Sequence, residues 1–303
     1  MSKIDDFYLL NDEMSKKQYK WFYLIFLSLI WGSSFILMKK ALIGLSPIQV
    51  GALRIIIAAL FLIIIGFKSV KKIKKRHWKY VFLSALCGTF FPSFLYAYAI
   101  VGIDSSIASI LNSLTPFNTL LIGTLIFQVV FNKKQLIGIL IGLLGTIILI
   151  FKGADLNPNQ NYWFALFPIV SSIGYACNVN IIKKYLQDLE PLAITTGNFI
   201  LILIPTLIVL SFTGFFTSFE FSKEATDGLI YITILAVIGT GIAKVMFNKL
   251  IHISSPVFST SVTYLIPIVA VIWGVVDGEK LSVIQLFAGI IILYGVYLVN
   301  KNK

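Results

Sequence analysis

Charged side chains are scarce in this sequence of 303 residues: they make up 13% of it, about half the roughly 25% of a soluble globular domain. That excludes an ordinary water-soluble enzyme. Cysteine and histidine number two each, too few for a disulfide scaffold or a Cys/His zinc site, so no metal or cofactor is expected. His77 and His252 stand apart, and the serines have no visible His/Asp partners, so no catalytic residue is expected either. No phosphate-binding glycine loop is present, which leaves ATP-driven pumping unsupported.

What the sequence has in abundance is apolar length. Hydrophobic residues make up 58%, and ten runs approach the ~20 residues needed to cross hydrocarbon: 21–38, 47–66, 80–100, 106–127, 135–151, 162–182, 191–212, 228–248, 256–276 and 281–299. They lack the period-two alternation of a barrel strand. The expected fold is an all-α membrane protein of ten transmembrane helices. Residues 1–20 form a polar N-terminal tail before a retained first helix, with no signal-peptide cleavage pattern.

The net charge of +12 follows the loops. Alternate loops and the two tails on one side hold 18 Lys/Arg, led by the run Lys68 to Lys79, and those on the other side hold 5. Such a bias places both termini in the cytoplasm and accounts for the basic surplus by membrane orientation, with no nucleic acid required.

Ten spans divide into five and five. At a shift of 151, Gly88-Thr89 meets Gly239-Thr240, Pro116 meets Pro267, Gly123 meets Gly274 and Gly138 meets Gly289. At a shift of 144, Ser28 meets Ser172, Lys39-Lys40 meets Lys183-Lys184 and Pro47 meets Pro191. The chain therefore reads as a first half at 21–151, an outer connecting loop at 152–161 and a second half at 162–300. An odd number of spans per half makes them inverted repeats, an architecture suited to alternating access around a site between the halves.

Trp31-Gly32-Ser33-Ser34-Phe35, Lys39-Lys40, Pro47 and Arg54 in the first half, with Pro267, Gly274, Gly278-Glu279 and Gly289 in the second, resemble the EamA-type transporters of the drug/metabolite transporter superfamily across 21–300. The resemblance implies a ten-helix inner-membrane carrier, usually an exporter of amino acids, related metabolites or drugs, with a central cavity. One departure is that the shift of 151 sets Glu279 on Gln128, where the family often keeps an acid.

Polar residues inside spans should face the bundle or a wet cavity. Ser105, Ser109, Asn112, Thr115 and Thr119 share a face of span four, and its repeat mate offers Thr260 and Thr263. Trp31, Ser34 and Met38 share a face of span one, opposite Tyr175 and Asn178 of span six. The expected substrate cavity is thus Trp31, Ser34, Asn112, Thr115, Thr119, Tyr175, Asn178, Thr260 and Thr263, with bonding between neighbouring helices as the plainer role for these side chains.

Two charges fall inside spans. Arg54 suits either a structural role on backbone carbonyls or the binding of a substrate carboxylate; Lys244 suits either snorkelling to the interface or attraction of an anionic group. Pro116 and Pro267 are candidate hinges or static kinks. Spans five and ten, glycine-rich and aliphatic, read as scaffold or as a homodimer surface. No Asp, Glu or His lies well inside a span, which favours facilitated export or exchange over a carboxylate proton relay. The partners expected are a small-molecule substrate and the lipid bilayer. A lipid-acting membrane enzyme or a non-transporting scaffold are the competing readings.

Overall fold

The computed structural model describes residues 3–128, 133–156, 160–279 and 281–300. Every regular element among them is helical. In the first half these are α1 (Lys3–Ala41), α2 (Pro47–Val70), α3 (Trp78–Ala85), α4 (Phe91–Gly102), α5 (Ser105–Asn112), α6 (Thr115–Phe127) and α7 (Lys133–Leu156). In the second they are α8 (Leu166–Tyr185), α9 (Pro191–Ser211), α10 (Lys223–Ile234), α11 (Ala243–Ile253), α12 (Pro256–Thr260), α13 (Val262–Val276) and α14 (Val283–Asn300).

Local chemistry sets several of the starts. Pro47, Pro191 and Pro256 occupy the first turn of α2, α9 and α12, where a missing N–H costs nothing. Ser46 and Gln49 form a reciprocal capping box at α2, and Ser282 and Gln285 exchange the same two bonds at α14.

Among the described residues, eight segments are long and apolar enough to span a membrane: Gln18–Ala41, Pro47–Val70, Lys75–Gly102, Ser105–Phe127, Tyr162–Tyr185, Pro191–Ser211, Lys223–Ile253 and Pro256–Val276. The spans expected at 135–151 and 281–299 correspond to α7 and α14, whose apolar stretches are shorter, Leu136–Leu149 and Val283–Gly295. The expected tail at 1–20 is helical from Lys3 onward, continuous with α1. The expected loop at 152–161 begins later, because α7 runs to Leu156, and its residues 157–159 lie outside the described ones.

Two features repeat between the halves. A π-helical stretch, Leu86–Phe90, joins α3 to α4, and another, Leu235–Ile242, joins α10 to α11; at the shift of 151 they overlap, Gly88-Thr89 on Gly239-Thr240. The packing repeats as well. α2 lies against its mate α9 and α7 against its mate α14, while the contact of α1 with α13 recurs as that of α8 with α6. One buried cluster draws Phe35, Leu53, Tyr96 and Ile107 from the first half and Ile232 and Ile266 from the second. The halves therefore share a core.

Glycine permits the closest approaches. A Cβ on Gly295 of α14 would lie 2.5 Å from the Gly138 carbonyl and from the Gly142 nitrogen of α7, so the Gly138-x3-Gly142 surface receives α14 of the same chain. A Cβ on Gly174 of α8 would lie 2.6 Å from the Cys87 carbonyl. Since backbone cannot swing aside, Gly174→Ala is expected to lose about 1–3 kcal/mol, read as a lower melting temperature in detergent, while Gly142→Ala, whose Cβ meets nothing within 4 Å, is expected to melt close to the parent.

Candidate functional site: a cavity between the two halves

Between the halves lies a partly open cavity with about 70 Å³ available to the centres of water-sized molecules. The first half contributes Trp31, Ser34, Phe35 and Met38 from α1, Arg54 from α2, Tyr96 from α4, Asn112 from α5 and Thr115 from α6. The second contributes Tyr175 from α8, Lys244 and Phe247 from α11, Thr260 from α12, and Thr263 and Ile266 from α13. Four pairs of repeat mates line it together: Trp31 and Tyr175, Tyr96 and Phe247, Asn112 and Thr263, Thr115 and Ile266.

The π-helical stretches shape the walls, because wide turns leave carbonyls open to outside donors. Trp31 Nε1 donates to the Gly239 carbonyl at 2.9 Å, and Lys244 Nζ donates to the Gly88 carbonyl. These are mate glycines, each bonded by a side chain from the other half. Arg54 Nε donates to Thr240 Oγ1 at 2.7 Å, again across the halves. Lys244 Nζ also stands 5.4 Å from the centre of the Tyr175 ring, within cation–π range.

Aromatic rings surround these cations. Tyr96 and Tyr175 lie nearly parallel with centroids 6.1 Å apart, Phe35 meets Tyr96 edge-on at 5.6 Å and Trp31 meets Phe247 at 5.0 Å. Tyr96 Oη donates to Asn112 Oδ1 at 2.7 Å, which fixes the amide and leaves its Nδ2 without a hydrogen bond to the described residues. The hydroxyls of Ser34, Thr115, Thr260 and Thr263 donate to carbonyls of their own chain segment three or four residues back. Toward the cavity they therefore present oxygen lone pairs.

Seven of the nine residues expected to line a cavity do so: Trp31, Ser34, Asn112, Thr115, Tyr175, Thr260 and Thr263. Thr119 and Asn178 do not. Thr119 Oγ1 donates to the Thr115 carbonyl at 2.8 Å, and its own carbonyl receives Asn180 Nδ2, because α8 covers that turn of α6. Asn178 accepts from Ser84 Oγ at 2.6 Å and packs over Gly88, tying α8 to α3 and its π stretch. The snorkelling role for Lys244 is also replaced, since its ammonium turns inward to Gly88 and Tyr175. Arg54 bonds a threonine hydroxyl rather than backbone carbonyls. Pro116 sits in the first turn of α6, just after the break at Ser113-Leu114, whereas Pro267 lies inside α13; the two mates are not equivalent bends. Phe35, Tyr96, Phe247 and Ile266 were not expected, although the shift of 151 pairs Tyr96 with Phe247 and Thr115 with Ile266.

The halves are also joined beyond the cavity at each end. At one end Glu279 accepts from Ser105 N and Oγ at 3.1 and 2.6 Å and from Ser106 N at 3.2 Å, and it pairs with Lys39 at 2.9 Å. Asp277 pairs with Lys39 at 2.7 Å and with Lys40. Gly278 makes the turn possible with φ of 86°, a conformation that glycine adopts freely. The carboxylate of Glu279 is thus buried but saturated. At the other end Lys72 pairs with Glu190 at 2.7 Å and Arg76 with Asp188 at 2.8 Å, exposed pairs that contribute little.

The sequence profile of the EamA-like transporter family matches residues 19–151 and 162–301. Among curated relatives, an uncharacterized inner membrane transporter of Escherichia coli (strain K12), YedA, is 26% identical over 284 residues, covering 91% of this chain and 89% of the relative. An uncharacterized transporter of Bacillus subtilis (strain 168), YvbV, is 21% identical over 291 residues, covering 92% and 91%. A solved crystal structure shares the fold with a TM-score of 0.63 at 16% identity, covering 94% of this chain and 96% of that one.

Burial pushes the Glu279 carboxyl up, but the bonds from Ser105, Ser106 and Lys39 outweigh it and hold the group below its usual value of 4.5. A depressed carboxyl stabilises the fold when ionised and loses that contribution as pH falls through its folded-state value. Glu279→Gln is therefore expected to cost about 1.5–3 kcal/mol at neutral pH, and the melting temperature of the parent should fall more steeply than that of the variant as pH drops below 4.5.

Proposed function

The chain belongs to the EamA-like transporter family, and on that premise we propose that it exports small organic metabolites, of the class of amino acids and related compounds, by alternating access of the cavity between its halves. Family membership makes it a membrane transporter rather than an enzyme, with the lipid bilayer and a small-molecule substrate as its partners. The inner-membrane placement of the relative YedA accords with its several apolar helices.

The observation that carries the mechanism is that the cavity is walled by both halves, which are also joined at each end beyond it. A carrier of this type moves one half against the other, parting the contacts at one end while those at the other close. Ten spans, α7 and α14 included, arranged as inverted five-helix repeats with both termini in the cytoplasm, supply the geometry for that exchange. The basic loop at Lys68 to Lys79 then faces the cytoplasm with Arg76 and Asp188, and the Glu279 cluster faces outward. Bending at Ser113-Leu114, just before Pro116, and at Ser261, a turn and a half before Pro267, would let α5 and α12 follow the two halves.

Metabolite profiling of the medium tests the reading. Cells overexpressing the chain are expected to accumulate one or a few small metabolites outside relative to deletion cells. Trp31→Ala and Asn112→Ala, at equal membrane abundance, are expected to lower that accumulation about tenfold. An extracellular metabolome that does not respond to overexpression, or variants that export at the parent rate, would contradict it.

A further inference from the structure

The two cavity cations lack an opposing charge. Arg54 is 9% exposed, and only its Nε is hydrogen-bonded, to a neutral hydroxyl; the two terminal amino groups have no partner among the described residues. Lys244 enters from the opposite half, with one bond to the Gly88 carbonyl. No Asp or Glu lines the cavity among the described residues. Asp277 and Glu279 are engaged by Lys39, Lys40, Ser105 and Ser106. Both cations are peculiar to one copy of the repeat, because the mate of Arg54 is Asn198 and that of Lys244 is Ser93.

An uncompensated charge within the membrane is costly, and residues that bear one are kept where a partner neutralises them. Here the partner must arrive with the ligand. A guanidinium with two free amino groups presents a planar fork that matches a carboxylate, and a lysine beside it adds a point charge. Asn112 Nδ2 supplies a further free donor. The rest of the wall is aromatic, with Tyr96, Tyr175 and Trp31 offering ring faces and edges to a flat apolar body.

We propose that the transported compound is an organic anion, a carboxylate joined to an aromatic or similarly flat body and lacking a free ammonium. Arg54 and Lys244 hold the carboxylate and the rings of Tyr96, Tyr175 and Trp31 hold the body. This deepens the carrier reading and rests on it. Within the class of amino acids and related compounds, it selects members such as 2-oxo acids, N-acylated amino acids and aryl carboxylates. The ammonium of a free amino acid would sit beside two cations with no acid to pair with.

The test uses the full chain in lipid nanodiscs and titrates four probes of matched shape: phenylacetate, phenylacetamide, phenethylamine and L-phenylalanine. Phenylacetate is expected to bind roughly tenfold or more tightly than phenylacetamide and L-phenylalanine, with phenethylamine weakest. Arg54→Gln and Lys244→Gln should each bring phenylacetate to the level of its amide, whereas Lys183→Gln, a cation removed outside the cavity, should leave the preference intact. If Arg54→Gln does not fold, Lys244→Gln alone decides the question. Amide or zwitterion binding as tightly as the carboxylate, a preference that survives in the folded cavity variants, or no binding of any probe would overturn the proposal. Counterflow in proteoliposomes separates the two readings: exchange of neutral or zwitterionic compounds without a carboxylate preference sinks the anion assignment and leaves the carrier standing, while absence of all exchange sinks both.

Discussion

Burying polar groups without water is the constraint on which the rest of this structure depends. Hydrocarbon offers no hydrogen bonds, so each buried donor and acceptor must be met within the chain. The response is visible residue by residue. Threonine and serine hydroxyls turn back to carbonyls one turn earlier, as at Thr115, Thr119, Thr206 and Thr263. Asparagines tie helices together, as Asn118 does to Ser172 and Asn180 to the Thr119 carbonyl. Where the helices widen into π turns, the carbonyls of Gly88 and Gly239 are met by Lys244 and Trp31. In the cavity this satisfaction is incomplete at Arg54 and Asn112, as it is elsewhere at the buried hydroxyls of Thr89, Ser171 and Thr196.

The same constraint separates the two ends. Glu279 is buried and fully bonded, joining the turn after α13 to the start of α5 and the end of α1. Its repeat mate Gln128 is neutral and exposed, at the left-handed end of α6. Lys183, the mate of Lys39, bonds the Ile251 and Ser254 carbonyls in place of a carboxylate. Halves that share a fold therefore close their two ends with different chemistry, a buried ionic cluster against carbonyl bonds and exposed ion pairs.

Much of this was legible in the sequence. Apolar length marks the helices, prolines 47, 191 and 256 stand at helix starts, and the shift of 151 pairs Gly88-Thr89 with Gly239-Thr240 as repeat landmarks, while the π turns at those pairs are visible only in the structure. Of the polar face of span four, Asn112 and Thr115 line the cavity and Thr119 lies under α8, since periodicity defines a face and says nothing of which neighbour covers each turn; Asn178 likewise turns to Ser84 and Gly88. Lys244 reads from the sequence as either snorkelling to the interface or attracting an anionic group, and only the structure shows its ammonium turned inward to Gly88 and Tyr175. Tyr96 and Phe247 could have been found by carrying the repeat comparison into spans three and eight, where the aromatic pair aligns.

The central claim is that one half moves against the other around the cavity. Paired spin labels at Ile43→Cys with Val276→Cys and, in a second sample, at Lys71→Cys with Gln187→Cys report the two ends, all four positions being exposed. Dipolar distance distributions recorded in nanodiscs with and without transported compound should shift in opposite senses, one end shortening as the other lengthens. Distances that stay single and unchanged at both ends while the same preparation exchanges substrate would contradict the account.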